Sequence, residues 1–511
     1  MVGRVSGISC ALATMRPRVL YFAVFVFYSL TGGRFASTFL EHELGFSAKW
    51  ISITMSIQLL VSNVCKPWLG KVADSWEASF HGGRGNTGRL RVMSLGLLLS
   101  TVAMLSHGLG RIINPTKKKY DFGDIETEDT NIQLPLYIYH VILRVFFVLG
   151  TGACGLALDG LTLAQLERQG IDKNNYGKER FYGALSWGIS HVFLGPVVEF
   201  FGFSALYGTT VFAFVGCLIV IQMYSNADAP IQYAGVDSEV DIVESSAMEY
   251  QSNASPVCVS AKIFQPQSCK RMKKKTSFIN DIIDIDVTNA TNTKSLTLLE
   301  LVRLLFQTGS LFKASFIMSL FALSIGMSVV ESLIFLYFEF LGGSNIMCGM
   351  TVCVTVLFEL PLFHYAPIIL ERLGSATMMH LGCLAYIVRA IGYSFIPQQH
   401  PYLVLFLEPL HGFTIGFAGT SSVAFADEWV PAGYESSGQG FISMIGGFGQ
   451  FVGLCIGGYL EGRVLYRVLA MIVTLGSLIL GIGKCWTAKP RYQQERRIDP
   501  SFLPVESLEM T

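Results

Sequence analysis

The sequence predicts an all-α membrane protein with twelve transmembrane helices in two pseudo-symmetric halves of six. Three observations support this fold class. Of the 511 residues, 51% are hydrophobic and only 14% are charged, whereas a soluble domain averages about 25% charged residues. About twenty consecutive apolar residues cross a bilayer as a helix, and the chain contains twelve such segments. Six of them precede residue 225 and six follow residue 310, which divides the chain into equal halves.

The twelve apolar segments, called spans 1 to 12 in chain order, are continuous runs and not the short alternating strands of a membrane barrel. Glycines occur in many of them, as expected where helices pack closely in lipid. The spans of the first half cover residues 19–40, 48–69, 90–110, 135–162, 180–200 and 202–224. Those of the second half cover residues 312–338, 345–370, 374–396, 401–426, 436–460 and 464–486.

Polar segments flank and separate the two halves. We expect a cytosolic N-terminus over residues 1–18, a first half over 19–224, a cytosolic linker over 225–310, a second half over 311–487 and a cytosolic tail over 488–511. The linker is polar and poor in aromatic residues, which is typical of disorder. Lys and Arg are more numerous in the loops on the side of the termini, and this excess predicts that side to be cytosolic.

The linker contains three further features. Its basic run, residues 270–275, favours a role in setting topology over binding to lipid headgroups. Residues 295–307 carry apolar side chains at helical spacing, which predicts an amphipathic helix at the membrane interface. The glycosylation sequons at Asn253 and Asn289 would stay unused in the cytosol.

Composition and motifs exclude several classes of function. The 37 Lys and Arg balance the 37 Asp and Glu, and nucleic-acid binding needs a basic surface. The eleven cysteines include no CxxC pair, so neither a disulfide framework nor a zinc site is indicated. Neither a Walker-type phosphate loop nor an H-E-x-x-H motif occurs. We therefore expect no enzymatic activity, no cofactor and no metal.

Two motifs near the cytosolic ends of spans suggest a gate. Gly70 and Asp74 form a G-x-x-x-D pattern at the end of span 2, in which Gly70 would allow close helix approach. Asp74 is either part of a latch that closes the inner side or a solvated loop acid. Arg89 and Arg91 would supply the basic part of the latch, although an extra stretch of chain intervenes. Arg180, in a Y-G-x-x-R-x-x-G pattern, is either a gating residue or a charge that sets topology.

These motifs, the six-plus-six arrangement and the long linker together resemble the major facilitator superfamily. The second half is similar to its lactose permease-like and nucleoside–proton symporter-like branch, often called the major-facilitator-associated group. The residues that carry this similarity are Glu359 with Pro361, Arg389, Glu408 with His411, and Gln439 between two glycines. The resemblance covers nearly all of the chain outside the linker and tails. It implies that spans 1, 4, 7 and 10 line a central cavity and that the solute is a sugar or nucleoside.

Six ionisable residues lie well inside the spans, where a charge is costly and indicates function. They are Arg34, Arg144, Glu331, Glu359, Arg389 and Glu408. At about 1.5 Å per residue, Arg34, Arg144, Glu331 and Glu408 lie roughly 4 to 13 Å from the outer surface of the bilayer. Cations of the first half could therefore meet acids of the second across the cavity. Alternatively, the ions pair within one half, or each Arg reaches the outer headgroups.

Two histidines share helix faces with these charges, because His140 lies four residues before Arg144 and His411 three residues after Glu408. An acid beside a histidine is a plausible proton site, since burial favours the protonated carboxyl, and a packing role for the histidine is equally open. The candidate proton carriers are Glu359, Glu408 and His411. The candidate charge partners or solute ligands of the cavity are Arg34, His140, Arg144, Glu331, Arg389 and Gln439.

The sequence thus predicts a secondary active transporter of a small polar organic solute, coupled to protons and working by alternating access of its halves. A non-transporting receptor or scaffold that keeps the same fold is the alternative. The expected partners are the lipid bilayer, the solute and protons, without nucleic acid, and we expect a monomer. The plasma membrane is favoured over an organelle membrane.

Overall fold

Helices form the whole of the described secondary structure, as the sequence predicts. The computed structural model describes residues 17–79, 87–113, 134–169, 176–227, 310–429 and 435–494, and no strand occurs among them. Except for its first three residues and its last, the expected linker lies outside this described part, as do the basic run, the interfacial segment and both sequons. The helical spans on either side of it confirm the all-α membrane fold class.

The first half contains spans 1 to 6. Span 1 consists of Arg18–Leu30, a short 3-10 helix at Gly33–Phe35 and a final helix at Ala36–His42. Spans 2 to 6 are Ala48–Ser79, Thr87–Ile113, Leu134–Arg168, Tyr176–Phe201 and Ala205–Ala227.

The second half repeats this arrangement as spans 7 to 12. Span 7 consists of Ser310–Ser332 followed by Ile334–Phe340, and span 10 consists of a 3-10 helix, Pro401–Phe406, followed by Pro409–Trp429. Spans 8, 9, 11 and 12 are Asn345–Leu373, Ser375–Phe395, Glu435–Gly457 and Gly462–Gln494. The helix of span 12 therefore continues past the expected boundary at residue 487.

Eleven of these spans have the length and apolarity that membrane crossing requires. The other is span 2, a helix of 32 residues, which at about 1.5 Å per residue is longer than a bilayer core of about 30 Å. It carries polar side chains such as Gln58, Asn63 and Lys66 along its length. The twelve-span prediction agrees with this arrangement.

Span 1 is broken where its apolar run predicted a continuous helix. The first helix ends at Leu30, and the backbone φ angles of Gly32 and Gly33 are 120° and 48°. An α-helix requires negative φ, and glycine alone adopts positive values readily. The two glycines therefore interrupt the span and place Arg34 in the break.

Spans 7 and 10 are interrupted in a similar way. Span 7 breaks at Leu333, two residues after Glu331. Span 10 turns at Leu407 and Glu408 before its main helix begins at Pro409, because proline disfavours a helical conformation in the residue before it. Three of the six predicted intramembrane charges thus lie at or beside helix breaks, which transporters commonly use to build binding sites.

The buried apolar residues form one large cluster shared by both halves and two smaller clusters, each within one half. We call the end of the bundle where span 1 begins the terminal side and the other end the opposite side. The first-half cluster around Leu20 and Leu90 and the second-half cluster around Ala366 and Met378 lie at the terminal side. The shared cluster includes Phe35 of the first half.

Contacts between the halves are close at the opposite side. There the Oε2 atom of Glu199 accepts a hydrogen bond of 2.7 Å from the backbone N–H of Asn345. A Cβ atom on Gly195 would lie only 2.7 Å from the carbonyl oxygen of Asn345. His42 Nε2 and Glu339 Oε2 are 2.8 Å apart and join spans 1 and 7. The two halves are therefore packed together at this side.

Candidate functional site

Arg34, in the break of span 1, connects the two halves in the middle of the molecule. Its Nη1 donates to the carbonyl oxygen of Val330 at 3.3 Å, and its Nη2 lies 3.0 Å from Nε2 of His411. Its backbone N–H donates to Nε2 of His191 at 3.2 Å. A single residue of the first half thus contacts both span 7 and span 10.

His191 on span 5 fixes the broken backbone of span 1. The imidazole is fully buried, and its Nδ1 lies 2.8 Å from the carbonyl oxygen of Trp187. A carbonyl only accepts, so Nδ1 carries the hydrogen and Nε2 offers its lone pair to the N–H of Arg34. Because a protonated imidazole could not accept this bond, His191 is neutral here. The sequence pattern did not single out His191, since one histidine in an apolar run has no distinctive spacing.

His411 faces Arg34 from span 10. A guanidinium only donates, so Nε2 of His411 accepts from Arg34 and its Nδ1 carries the hydrogen. The ring is fully buried, and Nδ1 has no hydrogen-bond partner among the residues that the structure describes. The neutral imidazole therefore couples span 10 to the break in span 1.

Glu408 lies in the break of span 10 and is only 3% exposed. Its Oε2 accepts a hydrogen bond of 2.9 Å from Thr355 Oγ1 on span 8, and its Oε1 accepts one from the Tyr393 hydroxyl on span 9. Sequence reasoning identified Glu408 and His411 but missed Thr355 and Tyr393. Thr and Tyr are frequent in apolar spans, and neither stands at a spacing that indicates a carboxylate partner.

The other second-half charges lie around this pair. Arg389 is fully buried, with its guanidinium carbon 5.9 Å from the ring of Tyr386 and 5.6 Å from that of Tyr393. Within the described chain, none of its three guanidinium nitrogens has a hydrogen-bond partner. Half-buried Glu331 is in electrostatic range of both Arg34 and Arg389.

Glu359 is half-buried on span 8 and lies in electrostatic range of Arg34 and Glu331. The structure thus gathers Arg34, Glu331, Glu359 and Arg389 around the Glu408–His411 pair. Arg34 and Glu331, which we expected to pair, lie near each other. The hydrogen bonds of the Arg34 guanidinium go instead to Val330 and His411.

Arg144 and His140 do not join this group, contrary to the expected pairing across the cavity. Arg144 Nε donates to Gln58 Oε1 on span 2 at 3.2 Å, and its guanidinium lies 4.7 Å from the ring centre of Phe147. His140 Nδ1 is 2.8 Å from Nδ1 of His107 on span 3. Both residues therefore find their partners within the first half, because their face of span 4 packs against neighbouring spans of that half.

The predicted pair of Asp74 and Arg89 forms at the terminal side. Arg89 Nη2 lies 3.0 Å from Asp74 Oδ1, and Arg89 Nη1 donates to the carbonyl oxygen of Gly160 at 3.1 Å. The intervening chain does not prevent this pairing, since spans 2 and 3 bring the two residues together. A Cβ atom on Gly70 would meet nothing within 4 Å, so its expected role in close helix approach is wrong.

Of the three remaining candidates, two lie apart from the cluster around Glu408 and Arg180 reaches only its member Glu359. Arg91 is exposed at the terminal side of span 3. Arg180 is in electrostatic range of Tyr176 and Asp159 of the first half and of Glu359 of the second. Gln439 donates from Nε2 to the carbonyl oxygen of Val423 at 2.9 Å, at the terminal side of spans 10 and 11. The geometry therefore places Gln439 at a helix contact and not beside the central charges.

The contact between Arg34 and His411 joins the two halves in this central arrangement. Glu408, three residues before His411, is buried with both carboxylate oxygens hydrogen-bonded. Loss or gain of charge at a buried carboxyl changes the free energy of the state that buries it by several kcal/mol, in order of magnitude.

Comparison with known proteins identifies a family that matches the chain and solved structures of similar fold. Residues 18–465 match the family described as the MFS_1 like family. A nucleoside transporter, NupG, is 14% identical with a TM-score of 0.56, over 93% of this chain and 98% of its own. A bacterial homologue of the iron transporter ferroportin, in an inward-facing state, is 12% identical with a TM-score of 0.59, over 93% of this chain and 98% of its own.

A D-xylose-proton symporter is 11% identical with a TM-score of 0.54, covering 93% of this chain and 97% of its own. At such low identities these likenesses show that the fold is shared.

Proposed function

The chain belongs to the MFS_1 like family, and on this premise we propose that it moves a small polar organic solute together with protons by alternating access. As a multi-pass membrane protein of the major facilitator superfamily, it has two halves that can close alternately on either side of a central site. Proton coupling supplies the driving force in this proposal.

The observation that carries the proposal is the environment of Glu408. The carboxyl is 3% exposed, accepts hydrogen bonds from Thr355 and Tyr393, and stands three residues before His411, which contacts Arg34 of the other half. An ionised carboxylate is expensive to bury, and protonation removes that cost. The proton on Glu408 would therefore decide whether the halves can close over the site.

We favour a sugar or nucleoside as the solute. Two proteins of the same fold are described as a nucleoside transporter and a D-xylose-proton symporter. Both solute classes carry hydroxyl groups that donate and accept hydrogen bonds. The half-buried Arg34, Glu331 and Glu359 would offer such groups a donor and two acceptors.

We further propose that the terminal side faces the cytosol, that the protein works as a monomer, and that it resides in the plasma membrane. The excess of Lys and Arg in loops on the terminal side supports this orientation. If it is right, Asn253 and Asn289 carry no glycan in cells, as a mobility shift after glycosidase treatment would show. A glycan on Asn289 would reverse the orientation.

The test of proton coupling uses the full chain in proteoliposomes with labelled uridine and D-xylose as probes. A pH gradient, acid outside, should drive accumulation of one of them in the wild type. Glu408→Gln, which mimics the protonated acid, should abolish accumulation and retain solute exchange. Glu371→Gln is the matched control, since Glu371 is exposed at the terminal end of span 8.

Unchanged accumulation in Glu408→Gln would assign the proton elsewhere, with Glu359 as the next candidate. If neither probe accumulates or exchanges and neither stabilises the purified protein against heat, the receptor or scaffold alternative takes precedence, because a bound solute must raise stability by mass action.

A further inference from the structure

Three potential metal ligands meet where the two halves touch at the opposite side. Glu41 and His42 end span 1, and Glu339 lies near the end of span 7. One ligand atom from each residue lies within 4.8 Å of the other two. His42 Nε2 and Glu339 Oε2 are the closest pair, at 2.8 Å. His42 and Glu339 are separated by 297 positions in sequence, so no local motif could reveal the group.

The ligand types suit a borderline divalent metal. Zinc binds imidazole nitrogen and carboxylate oxygen at about 2.0–2.2 Å, usually with four ligands. Two protein carboxylates and one imidazole leave a position for water. Glu461 is a further acid of the cavity that Glu41 lines.

A cavity beside the group gives a metal ion room and access. Its volume is about 480 Å³, and Glu41, Gln398, Glu461 and Tyr466 are among the residues that line it. Gln398 and Glu461 therefore offer polar groups to water bound on a metal beside Glu41.

We propose that Glu41, His42 and Glu339 bind Zn²⁺ and that the bound ion joins the two halves and holds the opposite side closed. Opening that side moves span 1 away from span 7 and separates Glu339 from the other two ligands. The ion therefore binds the closed state more tightly, and this differential affinity sets how far it can shift the equilibrium. Zinc acts as an inhibitor supplied from the opposite side and not as a transported solute.

The site can be tested on the full chain in detergent with ZnCl2 as the probe and MgCl2 as the reference cation. Zinc should raise the thermal unfolding midpoint of the wild type and bind once per chain by calorimetry. His42→Gln and Glu339→Gln should each weaken zinc binding by at least about tenfold, since even outer-shell changes cost 10–100-fold in affinity. Glu371→Gln, an exposed acid at the terminal side, should bind zinc as the wild type does.

The same samples test whether bound zinc holds the opposite side closed. X-ray absorption at the zinc edge should show one imidazole and oxygen ligands in the wild type. A cysteine replacing Ala48, which lines the cavity, should react more slowly with a maleimide when zinc is present, and this protection should vanish with Glu339→Gln. Equal zinc affinity in all variants would overturn the site, whereas lost affinity without protection of Ala48→Cys would overturn the bridging role. Neither result depends on the transported solute.

Discussion

The close packing of spans 5 and 8 makes Gly195→Ala a direct test of how the opposite side is closed. A Cβ atom on Gly195 would lie 2.7 Å from the carbonyl oxygen of Asn345 and 3.1 Å from the Cα of Ile346, whereas ordinary contact begins at 3.4 Å. Both atoms belong to the backbone of span 8, so they cannot rotate away. The two spans must therefore separate by about 0.7 Å, and a small core overpacking of this kind costs about 1–3 kcal/mol.

This cost falls on the closed state alone, because opening separates the two spans. The ratio of the form open at this side to the closed form should rise by a factor of about 5 to 150. Double electron–electron resonance between spin labels at Ser204→Cys and Gln399→Cys would report the change. Both positions are exposed at the opposite side, one in each half, and the native cysteines would be replaced.

Gly208→Ala is the matched control for this experiment. It also lies within a span of the first half, and a Cβ atom there would meet nothing within 4 Å. Both changes gain the same intrinsic helix propensity, about 1 kcal/mol, so that gain cancels in the comparison. Equal distance distributions for the two variants would refute the conclusion that this backbone contact holds the side closed.

Three further outcomes follow from the contacts around Glu408 and Arg34 and at the gate. Tyr393→Phe removes a donor to buried Glu408 and should lower the free energy of unfolding in SDS by about 1–3 kcal/mol, a loss that shrinks in the Glu408→Gln background. His191→Phe leaves the Arg34 N–H without its acceptor and should weaken solute binding in titrations, whereas His191→Gln should retain most of it. Arg89→Gln should lose less than about 1 kcal/mol from the ion pair, because Asp74 is 72% exposed, and about 1 kcal/mol from the hydrogen bond to the carbonyl oxygen of Gly160, and it should increase cysteine labelling at the terminal side.

The span pattern could be predicted because a helix that crosses a bilayer must be predominantly apolar along its length. Charges inside the spans stood out for the same reason, and Arg34, Glu331, Glu359, Arg389 and Glu408 do lie together in the structure. The pairing of Asp74 with Arg89 also followed from a motif, although the helix of span 2 continues to Ser79 and carries Asp74 within it.

The partners of these charges could not be predicted, because they depend on how helices rotate about their axes. Arg144 and Arg34 are both first-half cations, yet Arg144 bonds to Gln58 in its own half and Arg34 to His411 in the other. A rotation of span 4 by a fraction of a turn separates these outcomes. Thr355 was missed for a similar reason, since only its position opposite Glu408 distinguishes it from other threonines.

The breaks in the spans could be predicted only in part. Two adjacent glycines before Arg34 carry a local signal, and the positive φ angles of Gly32 and Gly33 follow from it. The interruption at Leu333 carries none, because no glycine or proline stands beside it. Tertiary contacts across the bundle must stabilise that break, and they are absent from any local pattern.

The apolar cluster shared by both halves makes the protein sensitive to temperature. Phe35 of span 1 and Phe335 of span 7 meet edge to face, with ring centroids 4.8 Å apart, and opening the opposite side would expose both rings to water. Exposure of apolar surface raises heat capacity by about 0.45 cal/K/mol per Å², so the free energy of opening is curved in temperature. Hydrophobic association weakens on cooling. Cold therefore favours the form open at the opposite side. A plot of the logarithm of the transport rate against inverse temperature should accordingly be curved.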